Sequence, residues 1–128
     1  MGADVLLLSD DLLDTSRVSG AGRQHGLAVK WARDLPALAA LARQEQPRLV
    51  LVDLANPGLS VERLMEQLRA ACATMPRVIA YGPHVDAARL RAARQAGCDL
   101  VLPRSAFAEQ LPDRLPEWLA PSPADREE

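Results

Sequence analysis

The chain has 128 residues, which is the size of one compact domain, and its composition of 48% hydrophobic and 25% charged residues is typical of a globular protein with a core. A net charge of -2, with only one Phe, one Tyr and two Trp, argues against the basic surface and stacking aromatics of nucleic-acid binders. The amino-terminal apolar run is too short for a signal peptide or membrane span. We therefore expect a cytoplasmic protein that binds neither nucleic acid nor membrane.

The first half of the chain predicts alternating strands and helices. Val5–Leu8 is a short apolar run, typical of a buried parallel strand, and a weakly helical stretch follows as far as Gly26. Residues 27–32 predict a second strand. Asp34 is placed to cap a helix with leucines at helical spacing, which Pro47 ends.

The clearest strand of the chain is the run 49–52, which is apolar on both faces and ends at Asp53. We expect it to be the central strand. The elements predicted after it are a helix capped by Ser60, a strand over 78–81, an alanine-rich helix over 87–96 and a strand over 100–102.

The last segment is less regular. Pro112 and Pro116 interrupt what would otherwise be an amphipathic helix after Ser105, so we expect this helix to be short. A short helix argues against dimerisation through the face formed by the fourth and fifth helices. We expect the folded domain to span residues 1–119 and the acidic, proline-rich residues 120–128 to be a disordered tail.

Five strands that alternate with helices predict an α/β fold with an open parallel sheet and helices on both faces. In such sheets, sites form at the carboxyl ends of the strands. Polar side chains stand at those ends here: Asp10, Asp11, Asp53, Tyr81 and Arg104.

Other residues have ordinary interpretations. Cys72 and Cys98 lack partners at metal-ligand spacing, which favours two buried thiols. The arginines at 89, 91 and 94 are either a solvated helix face or a docking surface for an acidic partner, and Trp118 either packs on the core or contacts a partner.

Three segments, taken in order, carry a resemblance to a known family: GLAVKWARD at 26–34, PRLVLVDLANPG at 47–58 and AGCD at 96–99. Over residues 4–111 the chain resembles the CheY-like receiver domain of bacterial response regulators. The resemblance implies a flavodoxin-like (βα)5 fold with strand order 2-1-3-4-5. It also implies a role in two-component, phosphorelay signal transduction, with a histidine kinase or a downstream effector as the protein partner.

The resemblance further implies a phosphorylation site. Asp53 would be the phosphoacceptor, since a carboxylate can attack a phosphoryl group when a divalent cation offsets the negative charge. Mg2+ would be held by Asp10, Asp53 and the backbone carbonyl of Ala55, with Asp11 as the alternative to Asp10 if the register moves by one residue.

Several positions depart from the family pattern. Ser9 replaces the first of two acidic residues after strand one, and Tyr81, followed by Gly82, replaces a Thr or Ser that contacts the phosphoryl group. The other replacements are Val101 for the switch aromatic, Arg104 for a lysine and Ser105 for a cis-proline. These replacements favour a pseudo-receiver.

The leading hypothesis is therefore a stand-alone, non-enzymatic, receiver-like module that acts by protein–protein interaction without phosphorylation. One alternative is a Mg2+-dependent phosphoacceptor modified on Asp53. Another is a small-molecule or cofactor-binding protein on the same fold. An open carboxylate pocket would favour phosphorylation, whereas a pocket filled by the Tyr81 phenol and the Arg104 guanidinium would favour the pseudo-receiver.

Overall fold

The computed structural model describes residues 2–119, so the predicted tail, residues 120–128, lies outside the described residues. Strands and helices alternate along the whole described chain. They are β1 (Val5–Leu8), α1 (Leu12–Gln24), β2 (Val29–Ala32), α2 (Leu35–Glu45), β3 (Leu49–Asp53), α3 (Val61–Ala71), β4 (Arg77–Gly82), α4 (Ala87–Gln95), β5 (Leu100–Pro103) and α5 (Arg104–Leu119).

The strands form one parallel sheet in the order β2-β1-β3-β4-β5, as predicted. Strands β1 and β3 each have a neighbouring strand on both sides in the sheet, and both are buried along their whole length. In the register of β3 and β4, Asp53 pairs with Tyr81. The sheet therefore delivers these two side chains to the same edge.

Alternate strand residues face two hydrophobic layers, one on each side of the sheet. Leu6, Leu8, Val50 and Val52 pack against α2, α3 and α4, in what we call the aliphatic layer. Val5, Leu7, Leu49 and Leu51 pack against α1 and α5, in what we call the aromatic layer because it contains the buried residues Tyr81, Phe107 and Trp118. The interpretation of Trp118 as a core residue is thus confirmed.

Side-chain caps fix the starts of the helices. The predicted caps Asp34 and Ser60 are confirmed, since their side chains accept hydrogen bonds from the backbone of Ala37 at 2.9 Å and Arg63 at 3.4 Å. Strand β2 begins two residues later than predicted, because the Leu27 N–H still bonds to the carbonyl of Gly22 at the end of α1.

The prediction of a short last helix is wrong, because α5 continues through Pro112 and Pro116. Both prolines lie on the exposed side of the helix. The opposite side buries Phe107, Leu111 and Leu115 at intervals of four residues, so its packing outweighs the missing N–H groups. The argument against dimerisation through the α4 and α5 face therefore loses its basis.

A contact from α1 compensates part of the cost of these prolines. Pro116 has no N–H to donate to the carbonyl of Pro112, four residues earlier. His25 Nε2 lies 2.6 Å from that oxygen. Since a carbonyl oxygen only accepts hydrogen bonds, this contact requires the proton on Nε2.

The remaining sequence expectations concern the cysteines and membrane insertion. Cys72 is buried and Cys98 is partly buried, and neither forms a disulfide. Within residues 2–119, no helix combines the length and apolar character needed to cross a bilayer.

Candidate functional site

Five polar side chains meet at the carboxyl edge of the sheet and form what we call the Asp53 cluster. Its members come from the ends of neighbouring elements: Ser9 after β1, Asp14 in the first turn of α1, Asp53 at the end of β3, Tyr81 in β4 and Arg104 at the start of α5. Parallel strands bring such residues together because their carboxyl ends share one edge.

Both carboxylate oxygens of Asp53 are engaged. Oδ1 accepts hydrogen bonds from Arg104 Nη2 at 2.7 Å and from the Ala55 N–H at 2.9 Å. Oδ2 lies 3.1 Å from the hydroxyl of Ser9. With only 2% of Asp53 exposed, its carboxylate faces protein donors rather than solvent.

Asp14 is the second buried carboxylate of the cluster. Its Oδ2 accepts a hydrogen bond from the Tyr81 hydroxyl at 2.7 Å, and Arg104 Nη1 lies 3.1 Å from Oδ1 and 3.0 Å from Oδ2. Arg104 therefore spans both acids with its two terminal nitrogens, using the fork geometry that distinguishes arginine from lysine.

Sequence reasoning missed Asp14, although a signal was present. Asp14, Val18 and Ala21 are spaced by four and three residues along α1, and all three are buried. An aspartate at a helical position otherwise reserved for apolar side chains needs a buried partner. That pattern could have directed attention to Asp14 rather than to the aspartates before the helix.

Ser9 lies between the two acids. Its hydroxyl is 3.2 Å from Asp14 Oδ2 and 3.1 Å from Asp53 Oδ2, while the Asp11 N–H donates to its oxygen at 3.1 Å. A hydroxyl has one proton, so it can donate to only one carboxylate at a time. Ser9 thus fills the space between Asp14 and Asp53 with a neutral group.

Burial and the neighbouring charges shift the pKa values of the cluster's members. Burial raises the pKa of Asp53, although the Ala55 N–H and Arg104 oppose this shift. Burial disfavours the charged form of Arg104, but its bond to Asp14 and the charge of Asp53 raise its pKa overall. Burial and the neighbouring Asp14 raise the pKa of Tyr81, so its phenol stays protonated and donates.

An aromatic stack joins the cluster to α5. The Tyr81 and Phe107 rings lie 3.9 Å apart and 8° from parallel, and Phe107 stacks on Trp118 with ring centres 5.7 Å apart. Arg104 Cζ lies 5.1 Å from the centre of the Tyr81 ring, within cation–π range. Phe107 was not singled out from the sequence, because its role depends on contacts across the fold.

Of the other predicted metal ligands, Asp11 and Ala55 contact the cluster through their backbone N–H groups. Asp10 is exposed, and Asp11 is an exposed N-cap whose carboxylate accepts from the Leu13 N–H at 2.8 Å. Ala55 is exposed, and its N–H donates to Asp53 Oδ1.

The remaining predicted switch positions also lie outside the cluster. Gly82 ends β4, where an added Cβ would come within 3.2 Å of Leu54. Val101 belongs to the aliphatic layer, and Ser105 is exposed in the first turn of α5. Ser9, Tyr81 and Arg104 are the predicted switch positions that the structure brings against Asp53.

In the structure, the cation beside Asp53 is the Arg104 guanidinium. Mg2+ prefers several oxygen ligands in octahedral geometry. Among residues 2–119, no group of three or more His, Cys, Asp or Glu side chains is arranged to hold a metal ion. Arg104 already places a positive charge between the buried carboxylates of Asp14 and Asp53.

Solved structures similar to this chain are receiver domains. A response-regulator receiver domain from Bermanella marisrubri is 20% identical, with a TM-score of 0.79, and the alignment covers 94% of this chain and all (100%) of that one. A response regulator from Thermotoga maritima is 19% identical, with a TM-score of 0.75, over 93% of this chain and 98% of that one.

A third similar structure contains a metal ion. It is the receiver domain of a sensor histidine kinase from Pseudomonas aeruginosa PAO1, with magnesium coordinated in its active-site cleft. It is 20% identical to this chain, with a TM-score of 0.75, over 93% of this chain and 98% of that one. No protein-family model and no curated protein matches this chain.

Together, the parallel five-stranded sheet and the aspartate at the end of its central strand define a doubly wound α/β protein with a polar site at the carboxyl edge. More specifically, the chain has the fold of response-regulator receiver domains, which confirms the predicted resemblance and its flavodoxin-like architecture.

Proposed function

We propose that this protein is a receiver-like signalling module that acts by binding another protein, without phosphorylation of Asp53 and without enzymatic activity. The observation that carries the proposal is the 2.7 Å contact between Arg104 Nη2 and Asp53 Oδ1. A phosphoacceptor carboxylate needs a free oxygen with which to attack, and here a charge-assisted hydrogen bond engages it.

The neighbours of Asp53 support the same proposal. The Arg104 guanidinium neutralises the two buried carboxylates, and the Ser9 hydroxyl lies between them. In a phosphoacceptor, a metal ion would offset this negative charge. The Tyr81 phenol bonds to Asp14 instead of leaving an open pocket beside Asp53. The phenol and the guanidinium both bond to the buried carboxylates, which supports a pseudo-receiver.

The protein partner is the least specified part of the proposal. Receiver domains similar to this chain belong to response regulators and to a sensor histidine kinase. A histidine kinase or a downstream effector is therefore the partner class we propose. The cytoplasmic location, the absence of nucleic-acid binding and the cofactor-binding alternative stay predictions.

Magnesium-dependent phosphorylation of Asp53 is the second candidate. It is favoured by the similar Pseudomonas receiver domain, which holds Mg2+ in its cleft, and by the position of Asp53 at the end of β3. In this chain it would require Arg104 to leave Asp53 Oδ1.

Treatment with beryllium fluoride and Mg2+, followed by fluorine NMR, distinguishes the two candidates. We expect no bound fluoride signal in the wild-type protein and no difference from Asp53→Asn. A signal in the wild type that disappears in Asp53→Asn would refute the proposal and establish the second candidate.

A matched variant tests whether the cluster itself prevents the reaction. Ser9→Asp combined with Tyr81→Thr and Arg104→Lys restores the residue types that the receiver resemblance implies. We expect this variant, once its fold is verified by circular dichroism, to gain an Asp53-dependent signal under the same conditions. The wild-type result then reflects the replaced residues rather than the assay.

A further inference from the structure

A surface groove runs between α1 and β2, on the side of the edge strand that α1 only partly covers. Its volume is about 680 Å³. The middle of the α1 wall consists of short side chains, and the opposite wall comes from β2 and the turn before it. Its lining residues include Ser16, Ser19, Gly20, Arg23, Val29 and Trp31.

Exposed apolar side chains concentrate at one end of this groove. Leu12 is 72% exposed and Trp31 is 49% exposed, and both line the groove at the carboxyl edge of the sheet. Leu13, adjacent in α1, is 57% exposed. A cluster of exposed large apolar residues beside a groove is typical of a protein–protein contact surface.

Opposite charges lie at the two ends of α1, beside the groove. Asp10 and Asp11 precede α1 at the Leu12 end, and Arg23 lines the groove at the other end of the helix. Neither Asp10 nor Arg23 forms an ion pair within residues 2–119. The charges just beyond Trp31, on Arg33 and Asp34, offset each other.

Two copies of a surface with an acidic end and a basic end are complementary when they pack in antiparallel orientation, because each acidic end then faces a basic end. A two-fold interface requires this property, because the same patch contributes to both sides. The middle of the groove also permits close approach, since a Cβ added at Gly20 would meet nothing within 4 Å.

We propose that the α1 and β2 groove is the interface for a second copy of this chain, in a two-fold arrangement with antiparallel α1 helices. Asp10 of each copy faces Arg23 of the other, and Leu12 and Trp31 fill the partner's groove. This contact is separate from the Asp53 cluster, so it stands whether or not the proposed function does.

Charge exchange between two variants tests this geometry. Arg23→Glu and Asp10→Arg each place like charges at both ends of the two-fold contact. Since two ion pairs become repulsive, we expect each variant to dimerise about tenfold more weakly than the wild type in sedimentation velocity across a wide concentration range. Asp11 is left unchanged because its carboxylate caps α1.

Mixing the two variants gives the decisive measurement. In a mixed dimer, Glu at 23 faces Arg at 10, and the native Asp10 faces the native Arg23, so both ion pairs return. We expect the mixture to dimerise with near wild-type affinity, and the variant carrying both changes to do so alone. Gly20→Leu, whose Cβ would meet nothing within 4 Å in its own chain, places a large side chain in the groove and should abolish the dimer in every case.

A chain that is monomeric at all concentrations would overturn the proposal and assign the groove to a different partner. Dimerisation that is unaffected by the charge changes, or a mixture no stronger than its components, would also overturn it, because the dimer would then use another face. Circular dichroism and urea unfolding of each variant show whether the fold is retained.

Discussion

The aliphatic and aromatic layers on the two sides of the sheet differ in what they connect. The buried members of the aliphatic layer include no aromatic ring, and its contacts join α2, α3 and α4 to the strands. The aromatic layer stacks Tyr81, Phe107 and Trp118, and it ends at the Asp53 cluster. The polar site is therefore continuous with one layer only.

This difference has a mechanical consequence for α5. Arg104 is the first residue of α5, bonds to both buried acids and lies over the ring of Tyr81. A change at Asp53 therefore acts directly on the start of α5 and on the stack that anchors it. The buried charge beside the aliphatic layer, Glu45 on α2, bonds instead to Lys30 and to the Ala3 N–H. Since the Asp53 cluster bonds to the start of α5, α5 is the element that we expect to respond to the site.

The largest expected effect comes from removing the cation of the cluster. Arg104→Met retains much of the side-chain volume but leaves Asp14 and Asp53 buried without a counter-ion. Because the Arg104 side chain is 31% exposed, we expect a loss at the lower end of the range for broken buried pairs, about 3 kcal/mol of unfolding free energy in urea.

Arg114→Met is the matched control. Arg114 lies on the same helix, but its ion pair with Glu117 is solvent-exposed, at 59% and 67% for the two side chains. We expect a change within about 0.5 kcal/mol. Equal losses in the two variants would show that the Arg104 bridge contributes no more than a surface pair.

Tyr81→Phe tests the link between the cluster and the aromatic stack with a smaller change. The ring and its contact with Phe107 remain, while the hydroxyl that donates to Asp14 at 2.7 Å is lost. A buried carboxylate that loses a donor should cost about 1.5 kcal/mol in urea unfolding. Ser105→Ala, at an exposed position beside Arg104, provides the baseline.

A Tyr81→Phe variant as stable as Ser105→Ala would mean that Asp14 recruits another donor. The cluster would then tolerate rearrangement, and its connection to the aromatic layer would be weaker than the distances indicate.

The aliphatic layer and the strands could be predicted from the sequence because buried parallel strands must be apolar on both faces. The run 49–52 and the caps Asp34 and Ser60 are local signals, and the structure confirms them. In the site, Asp53, Tyr81 and Arg104 were predicted from their positions at strand ends, and Ser9 from the receiver resemblance. The same strand-end rule also selected Asp10 and Asp11, whose side chains are exposed.

The features that escaped prediction all depend on contacts between distant segments. Asp14 is buried because Tyr81 and Arg104, 67 and 90 residues away, satisfy its oxygens. The helix α5 persists through two prolines because its buried face, and a contact from His25 at the C-cap of α1, compensate for them. Spacing along α1 marks Asp14 as a buried position, but neither spacing nor local propensity identifies the distant residues that bond to it or that support α5.

The smallest expected effect is the pH dependence of the contribution from Asp53. Its folded pKa is raised above the ordinary value, chiefly by burial, so the folded state binds this proton more tightly than the unfolded state does. The resulting stabilisation is fully present below about pH 4, near the unfolded pKa, and is lost as the pH rises through the folded pKa.

Asp53→Asn removes this titration while keeping the shape of the side chain. We therefore expect the stability of the wild type relative to Asp53→Asn, measured by urea unfolding, to fall as the pH rises from acidic to neutral. Glu109→Gln, at an exposed carboxylate on α5, provides the reference slope. A relative stability that instead increases with pH would contradict this expectation. It would show that Arg104 and the Ala55 N–H stabilise a charged Asp53 more strongly than burial beside the aromatic layer disfavours that charge.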